Sequence, residues 1–415
     1  MRPTKVPRVA LLIESSNAYA RGLLTGISEY IQERGAWTVY FHETGRGIEG
    51  VAERLRGWDG DGVILRAEDE QTARAVAECR CPIVNVSAAG LLPDVPAFHS
   101  DVRAEAEAAF DHLWERGFRN LAYCGVSDYR WSAWQHTRFK ELAMAHGMTV
   151  ASHIVPLNTQ RPRGWSEDRQ KLIDWLKSLP KPVGVFACYD LRGQHVLDGC
   201  REANLDVPDQ VAVIGVDNDP VFCNLCNPPL SSVAPDARRV GYLAAEWLSQ
   251  MMAGRTVEPG LRLVPPISVV ARRSTDSLAI DDPDVSAALR FIRAHACEPI
   301  GVKQVLQAVP LTRRALEGRF LRLLKRTPHE QILHCRVDRA KQLLCDTDLP
   351  IKAIAPLVGA GTPEYLSVLF NRMLGISPSA FRQRHQAMRA RGESVNPQDD
   401  MFEGVEPAAI APRAK

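Results

Sequence analysis

The chain has 415 residues, 45% of them hydrophobic and 7% aromatic, with 51 Lys+Arg against 49 Asp+Glu. That length allows two or three domains with sizeable cores, and no apolar run approaches the roughly 18 residues of a membrane-spanning helix, so no membrane partner is expected. The net charge of +2 hides an asymmetry: residues 284–391 hold 18 Lys+Arg and 8 Asp+Glu, whereas residues 1–283 hold 31 and 36, and positive charge gathered in one segment points to a polyanionic partner for that segment.

At the N-terminus, Arg2, Lys5 and Arg8 precede Val9-Ala10-Leu11-Leu12-Ile13, with Ala18-Tyr19-Ala20 beyond. This has the outline of a secretory signal, but the apolar run stops at Glu14, short of the roughly seven to fifteen residues a signal needs. It reads as a buried first strand. From there to about residue 270 strand and helix alternate. Strands are expected at Val9–Ile13, Thr38–Phe41, Gly62–Leu65, Ile83–Val86, Phe98–Ser100, Asn120–Cys124, Thr149–Ile154, Gly184–Ala187 and Val211–Gly215. Helices are expected at Gly22–Arg34, Gln71–Cys79, Arg103–Arg116, Trp134–Ala145, Ser166–Ser178, Gln194–Ala203 and Ala237–Met252. Continuous apolar strands separated by amphipathic helices mean parallel sheets covered on both faces. The stretch is longer than one such sheet needs, so two lobes with a cleft between them are expected. Ligands of such sheets sit at the carboxyl ends of the strands.

Four stretches sharpen this reading: Asp59-Gly60-Asp61-Gly62-Val63-Ile64, Arg116 to Tyr123, Val211 to Asn218 and Leu230-Ser231-Ser232-Val233. In order and spacing they resemble the LacI-type sugar-binding domains, relatives of the periplasmic sugar-binding proteins. The resemblance implies a sugar pocket. Such a pocket needs charged groups that hydrogen-bond adjacent hydroxyls and rings that stack on C–H faces. Candidates stand near strand ends: Tyr19 and Arg21 after the first strand, Asp101 after Phe98–Ser100, Asp190 after Gly184–Cys188, and Asp217 after Val211–Val216. Arg138 lies in the helix after Trp131 and Trp134. The alternative for each is a helix cap or a surface ion pair, and the tryptophans read as core.

A polar linker follows at 276–283, so residues 8–275 read as the regulatory domain and 284–387 as the basic one. Within the basic segment, Val305, Leu306, Val309, Leu316, Phe320, Leu323 and Leu324 recur at helical spacing. Pro310 ends the first helix of this pair and Thr312 is placed to N-cap the second. A second pair begins at Ile351, turns at Gly359-Ala360-Gly361, and restarts at Thr362-Pro363. Each pair is a helix-turn-helix whose second helix can enter a major groove. Arg313, Arg314 and Arg319 are the expected contacts to double-stranded DNA in the first unit, and Thr362 and Glu364 in the second.

The run Ile351-x-x-Ile354-Ala355-x-x-x-Gly359, with Tyr365, Phe370, Gly375, Ser377-Pro378 and Phe381-Arg382, resembles the DNA-binding signature of AraC-type regulators. Three positions depart from it: Ala360 and Leu366 replace aromatics, and Pro356 lies inside a helix, where proline costs about 3 kcal/mol in a regular interior. A LacI-type sugar domain ahead of an AraC-type reader is the arrangement of xylose operon regulators. Asn17-Ala18-Tyr19-x-Arg21, Asp217-Asn218, Arg272 to Asp276 and Phe291 to Cys297 carry that likeness. It implies an activator that takes xylose or another sugar as effector, works as a homodimer and contacts RNA polymerase, with repression as the alternative.

Catalytic motifs are absent. His329 and His334 stand five residues apart, about 500° around a helix, too far apart in direction for a shared zinc. Cys223 and Cys226 lack a second pair and read as structural thiols. No Gly-rich phosphate loop or Gly-x-Ser-x-Gly elbow occurs, so neither a cofactor nor an enzyme is expected. A sugar-modifying enzyme on the same scaffold is the alternative, and binding without turnover separates the two. Ten cysteines without framework spacing fit reduced thiols and a cytoplasmic protein. Residues 392–415, rich in Pro, Ala and acidic groups, are expected to be disordered.

Overall fold

The computed structural model describes residues 6–41, 55–156, 164–276, 282–324, 326–347 and 349–383. The expected disorder at 392–415, Arg384 and most of the linker lie outside these. The chain separates into two compact units, Met1–Ser277 and Leu278–Lys415.

The first unit contains two six-stranded sheets. Its strands in chain order are β1 Arg8–Leu12, β2 Thr38–Phe41, β3 Gly62–Leu65, β4 Ile83–Asn85, β5 Pro96–Ser100, β6 Asn120–Val126, β7 Val150–Val155, β8 Val183–Ala187, β9 Val211–Val216, β10 Ser231–Ala234, β11 Gly260–Val264 and β12 Ser268–Val270. Its helices are α1 Ala18–Arg34, α2 Glu70–Ala77, α3 Val102–Glu115, α4 Arg130–Ala145, α5 Gly164–Ser178, α6 Asp190–Glu202, α7 Pro220–Leu225 and α8 Ala237–Met252. One sheet has the order β11-β5-β4-β3-β1-β2, all parallel. The other runs β12-β10-β9-β8-β6-β7, parallel except between β10 and β12. The chain crosses between sheets after β5, after β10 and after β11. Two lobes built around parallel sheets are therefore present, as expected.

Strands β1, β3 and β4 are almost wholly apolar because both faces are covered. Leu23 and Ile27 of α1 and Val240, Ala244 and Leu248 of α8 close one side of the first sheet. The two helices touch backbone to backbone: a Cβ on Gly26 would run into the Arg238 carbonyl oxygen, and one on Gly241 into that of Leu23. In the second lobe, Leu172, Leu176, Val196 and Cys200 pack under β8 and β9. Phe110, Phe139 and Phe186 pack at 5.1–6.0 Å between ring centres on the other face.

Three strands and one helix escape the sequence pattern. β10 is Ser231-Ser232-Val233-Ala234, and its serines are fully buried, so its polarity reads as loop. Ser231 is satisfied by Thr275 and by the Arg272 carbonyl, Ser232 by Asp190. β11 and β12 are short and flank Pro265-Pro266. Helix α7 is held by Asp219, whose carboxylate accepts from the Val221 and Phe222 amides. The unit ends in a short turn, Arg273–Thr275, rooted in the second lobe. Ser274 donates to the Val213 carbonyl, and Thr275 Oγ1 is 2.7 Å from His112 Nε2.

The second unit has α9 Pro283–His295, α10 Val302–Gln307, α11 Arg313–Leu324, α12 Pro328–Asp346, α13 Ile351–Leu357 and α14 Pro363–Leu374, with helix again at 378–383. Two cores organise it. Val285, Leu289, Ile292, Val305, Leu316 and Phe320 form one. Val337, Leu344, Ile354, Leu366, Phe370 and Phe381 form the other. Helix α12 contributes to both. Its Arg336 donates to the carbonyls of Ala296 and Glu298, which tethers the end of α9.

Both expected caps form: Thr312 accepts from the Ala315 amide and Thr362 from the Tyr365 amide. Gly359 has φ +70°, and a Cβ there would lie 2.7 Å from the Cys297 carbonyl oxygen. Pro356 is the penultimate residue of α13 and exposed. Only the last turn lacks its N–H, and the Ile354 and Ala355 carbonyls still accept from Val358 and Ala360. Ala360 and Leu366, the smaller residues at aromatic positions, are both buried in the second core.

Candidate functional site

A cavity, part of it open to solvent, lies where the carboxyl ends of both sheets meet. The first lobe supplies Tyr19 from α1, Arg66 just beyond β3, and His99 and Ser100 from β5. The second supplies Glu105 from α3, Trp131 and Gln135 from α4, Tyr189 after β8 and Asp217 after β9.

Arg66 is 8% exposed, and burial works against its charge. Two carboxylates more than offset that: Glu14 Oε1 at 2.5 Å from Nη1 and Glu68 Oε1 at 2.9 Å from Nε, so the guanidinium stays charged. Asn17 fixes Glu14 through a 3.0 Å bond from Nδ2, while its own Oδ1 caps α1. Tyr19 stacks under Arg66, 5.4 Å from guanidinium carbon to ring centre, and its hydroxyl accepts from the Ser100 amide. Glu105 accepts from Gln135 Nε2 at 3.0 Å. Burial raises its carboxyl to about 7, so it can both accept and donate near neutrality. Asp217 has φ +104°, a conformation that side chains rarely adopt. Trp131, read as core from sequence, lines the cavity with Tyr189 edge-on at 6.1 Å.

Among the candidates from sequence, Tyr19 and Asp217 line this cavity. Asp190 lies behind it, 3% exposed, accepting from the Asp219 amide, Ser232 and Cys223. Burial, then the nearby Asp217, pushes its carboxyl up. Arg21 is drawn out of the wall to bridge the lobes, its Nη2 2.8 Å from Asp219 Oδ2. Asp101 N-caps α3 through the amides of Arg103 and Ala104. Arg138 is turned to Glu107 and Glu141, at 2.7 and 3.2 Å, and is not part of the cavity lining. Sequence reasoning missed Arg66, His99, Glu105 and Gln135. For Arg66 the available signal was a charged residue bordering an apolar run, Gly62-Val63-Ile64-Leu65-Arg66.

In the second unit, Arg313 and Arg314 stand exposed in the first turn of α11. Arg313 pairs with Glu317, one turn along and partly exposed. Arg319 is differently placed: its Nη1 lies 3.0–3.2 Å from Asp282 and Asp284 at the start of α9. Thr362 is occupied as a cap, and Glu364 is exposed in the first turn of α14. The exposed residues of these helices also include Arg322 on α11 and Tyr365, Val368 and Arg372 on α14. Val368 follows Glu364 by four positions, and Arg322 and Arg372 follow Arg314 and Glu364 by eight, a spacing that returns to the same helix face.

A two-lobed α/β domain with a polar, aromatic-lined cleft, joined to paired helix-turn-helix units, defines an effector-controlled transcription regulator. Family models agree: an XylR N-terminal domain over residues 8–96, a periplasmic binding protein-like domain over 110–275 and a helix-turn-helix domain over 305–384. The chain is 34% identical to the xylose operon regulatory protein of Escherichia coli over 387 residues, 91% of this chain and 97% of that one. It is 32% identical to the protein of the same name from Haemophilus influenzae, over 90% and 98%. The solved structure of the xylose-binding transcription activator XylR superposes with a TM-score of 0.76 at 33% identity, covering 92% of this chain and 99% of that one. The chain belongs to the family of xylose operon regulatory proteins. It is a sugar-responsive, DNA-binding transcription regulator and not an enzyme.

Among the described residues no helix is long and apolar enough to cross a membrane, no group of three metal-ligating side chains forms, and nine cysteines are free thiols.

Proposed function

We propose that D-xylose or a close aldopentose is the effector, held in the interlobe cavity by Arg66, Glu105, Gln135 and Asp217, with Tyr19 and Trp131 as ring platforms. The observation that supports this most is the cavity wall itself. Charged donors and acceptors are already oriented by Glu14, Glu68 and Asn17, so little ordering is left to the ligand. Asp190 acts from behind, by holding Asp219 and Ser232. Asp101 and Arg138 have structural roles.

DNA is read by Arg313, Arg314 and Arg322 on α11, with Thr362, Glu364, Tyr365 and Arg372 on α14. The exposed Arg313–Glu317 pair is worth little and exchanges readily for a phosphate. The protein acts in the cytoplasm as a homodimer on repeated half-sites, and activates transcription by contacting RNA polymerase. The sugar acts through its difference in affinity between two domain arrangements. Calorimetric titration with a pentose panel tests the effector. Gel-shift and in vitro transcription on the chain's own upstream region, with and without xylose, test the regulator. Transcription that falls on adding sugar-loaded protein rules out the activator.

A further inference from the structure

One side chain in the cavity wall has half its hydrogen-bonding capacity unmet. His99 is 4% exposed in β5 and lines the cavity, its ring 5.2 Å from that of Tyr19. Nδ1 lies 2.9 Å from the Ser100 carbonyl oxygen. A carbonyl only accepts, so Nδ1 carries the hydrogen and donates. In a neutral ring Nε2 is then a bare lone pair. That atom is buried and has no hydrogen-bond partner among the described residues. Burial, and then the Arg66 guanidinium, hold the imidazole down to about 3, so it does not solve the problem by taking a second proton. Other polar groups of the wall have partners of their own: Arg66 with Glu14 and Glu68, Glu105 with Gln135, Tyr19 with Ser100. A buried acceptor left unpaired is unfavourable, and proteins keep few of them.

Resting on the reading of this cavity as a sugar pocket, we propose that His99 determines specificity: its Nε2 accepts a hydrogen bond from one effector hydroxyl. The pocket thereby selects sugars that present a donor at that position. A sugar lacking that hydroxyl leaves the lone pair dry. A sugar with a carbonyl or carboxylate oxygen there sets two acceptors against each other. Sites that hydrogen-bond a hydroxyl reject its absence far more strongly than apolar pockets reject a methylene.

The test is calorimetric titration of the full-length protein with aldopentoses, aldohexoses and pentitols, then with each monodeoxy derivative of the tightest binder. Wild type should lose about tenfold or more for one derivative in particular. His99→Phe should lose a similar factor for the parent sugar and cease to distinguish it from that derivative. His99→Gln, whose amide oxygen can accept, should recover part of the loss. Circular dichroism and Tm establish that the variants are folded. The proposal is overturned if His99→Phe binds the parent sugar as wild type does, or keeps the wild-type discrimination among derivatives. Should the variants fail to fold, a wild type indifferent to every single hydroxyl deletion overturns it, and one sharp penalty supports it. If only a sugar other than a pentose binds, the pentose reading falls and His99 is judged on that sugar. If folded wild type binds no sugar, both fall.

Discussion

At the scale of residues, the cavity is governed by charges that burial alone would suppress. Glu105 shows how this reaches stability. Its folded carboxyl sits near 7 against an ordinary 4.5, mainly through burial. The fold therefore favours the protonated form. The stability it contributes is fully present below about pH 4.5 and is lost as pH rises toward 7. Glu105→Gln should flatten the dependence of Tm on pH across that window and stabilise the sugar-free protein at pH 7.5 by up to about 3 kcal/mol. Thermal melts from pH 4.5 to 8 measure this, and an unchanged slope contradicts it. In the DNA reader, Arg314→Ala and Arg322→Ala should each lower the slope of log affinity against log salt by about 1, uniformly over sequences. Arg319→Ala should leave that slope alone and lower Tm instead, because its partners are Asp282 and Asp284. Asp217 was legible as a cleft residue because it follows the apolar strand β9 directly, and Tyr19 because it lies in the first turn of the helix that comes after β1. His99, Glu105 and Gln135 were not. One sits within a strand and the others on buried helix faces, where a polar residue has no periodic signature until the facing lobe is in place.

At the scale of elements, the sequence pattern was informative wherever burial came with apolar residues. Nine strands and seven helices of the first unit could be placed that way, to within a few residues at their ends. It failed at β10, where buried serines take the place of valines, since hydroxyl groups satisfied by Asp190, Arg272 and Thr275 look the same in sequence as a solvated loop. Glycines tell a converse story. Gly22 and Gly26 weaken α1 as a helix, by roughly 1 kcal/mol each relative to alanine. They are needed because α8 passes where their side chains would be. Gly26→Val should therefore destabilise the first unit by about 3 kcal/mol or more. Differential scanning calorimetry should show one transition lowered while that of the DNA reader stays in place. If the two transitions shift together, the effect is not local to α1 and α8.

At the scale of the whole molecule, the links between the lobes among the described residues include three chain crossings, an ion pair and a hydrogen bond from Arg130 to the Ala89 carbonyl. Arg21 of the first lobe reaches Asp219 of the second, whose amide in turn is held by Asp190. The pair is half exposed on the arginine side, so its worth is of order 1 kcal/mol and depends on salt. Arg21→Ala should weaken sugar binding about threefold to tenfold at low ionic strength and by less at 0.5 M salt. Titration at two ionic strengths measures the difference, and equal losses at both assign the effect to something other than charge. The two-domain plan was legible from charge and motif together, because a basic helical segment and an alternating α/β segment obey different periodicities. How the lobes clasp was not legible, because Arg21 and Asp219 are 198 positions apart. The last turn of the first unit settles a further matter. Ser274 and Thr275 are moored beneath β9 and against α3, so the polypeptide departs from one jaw of the clasp only.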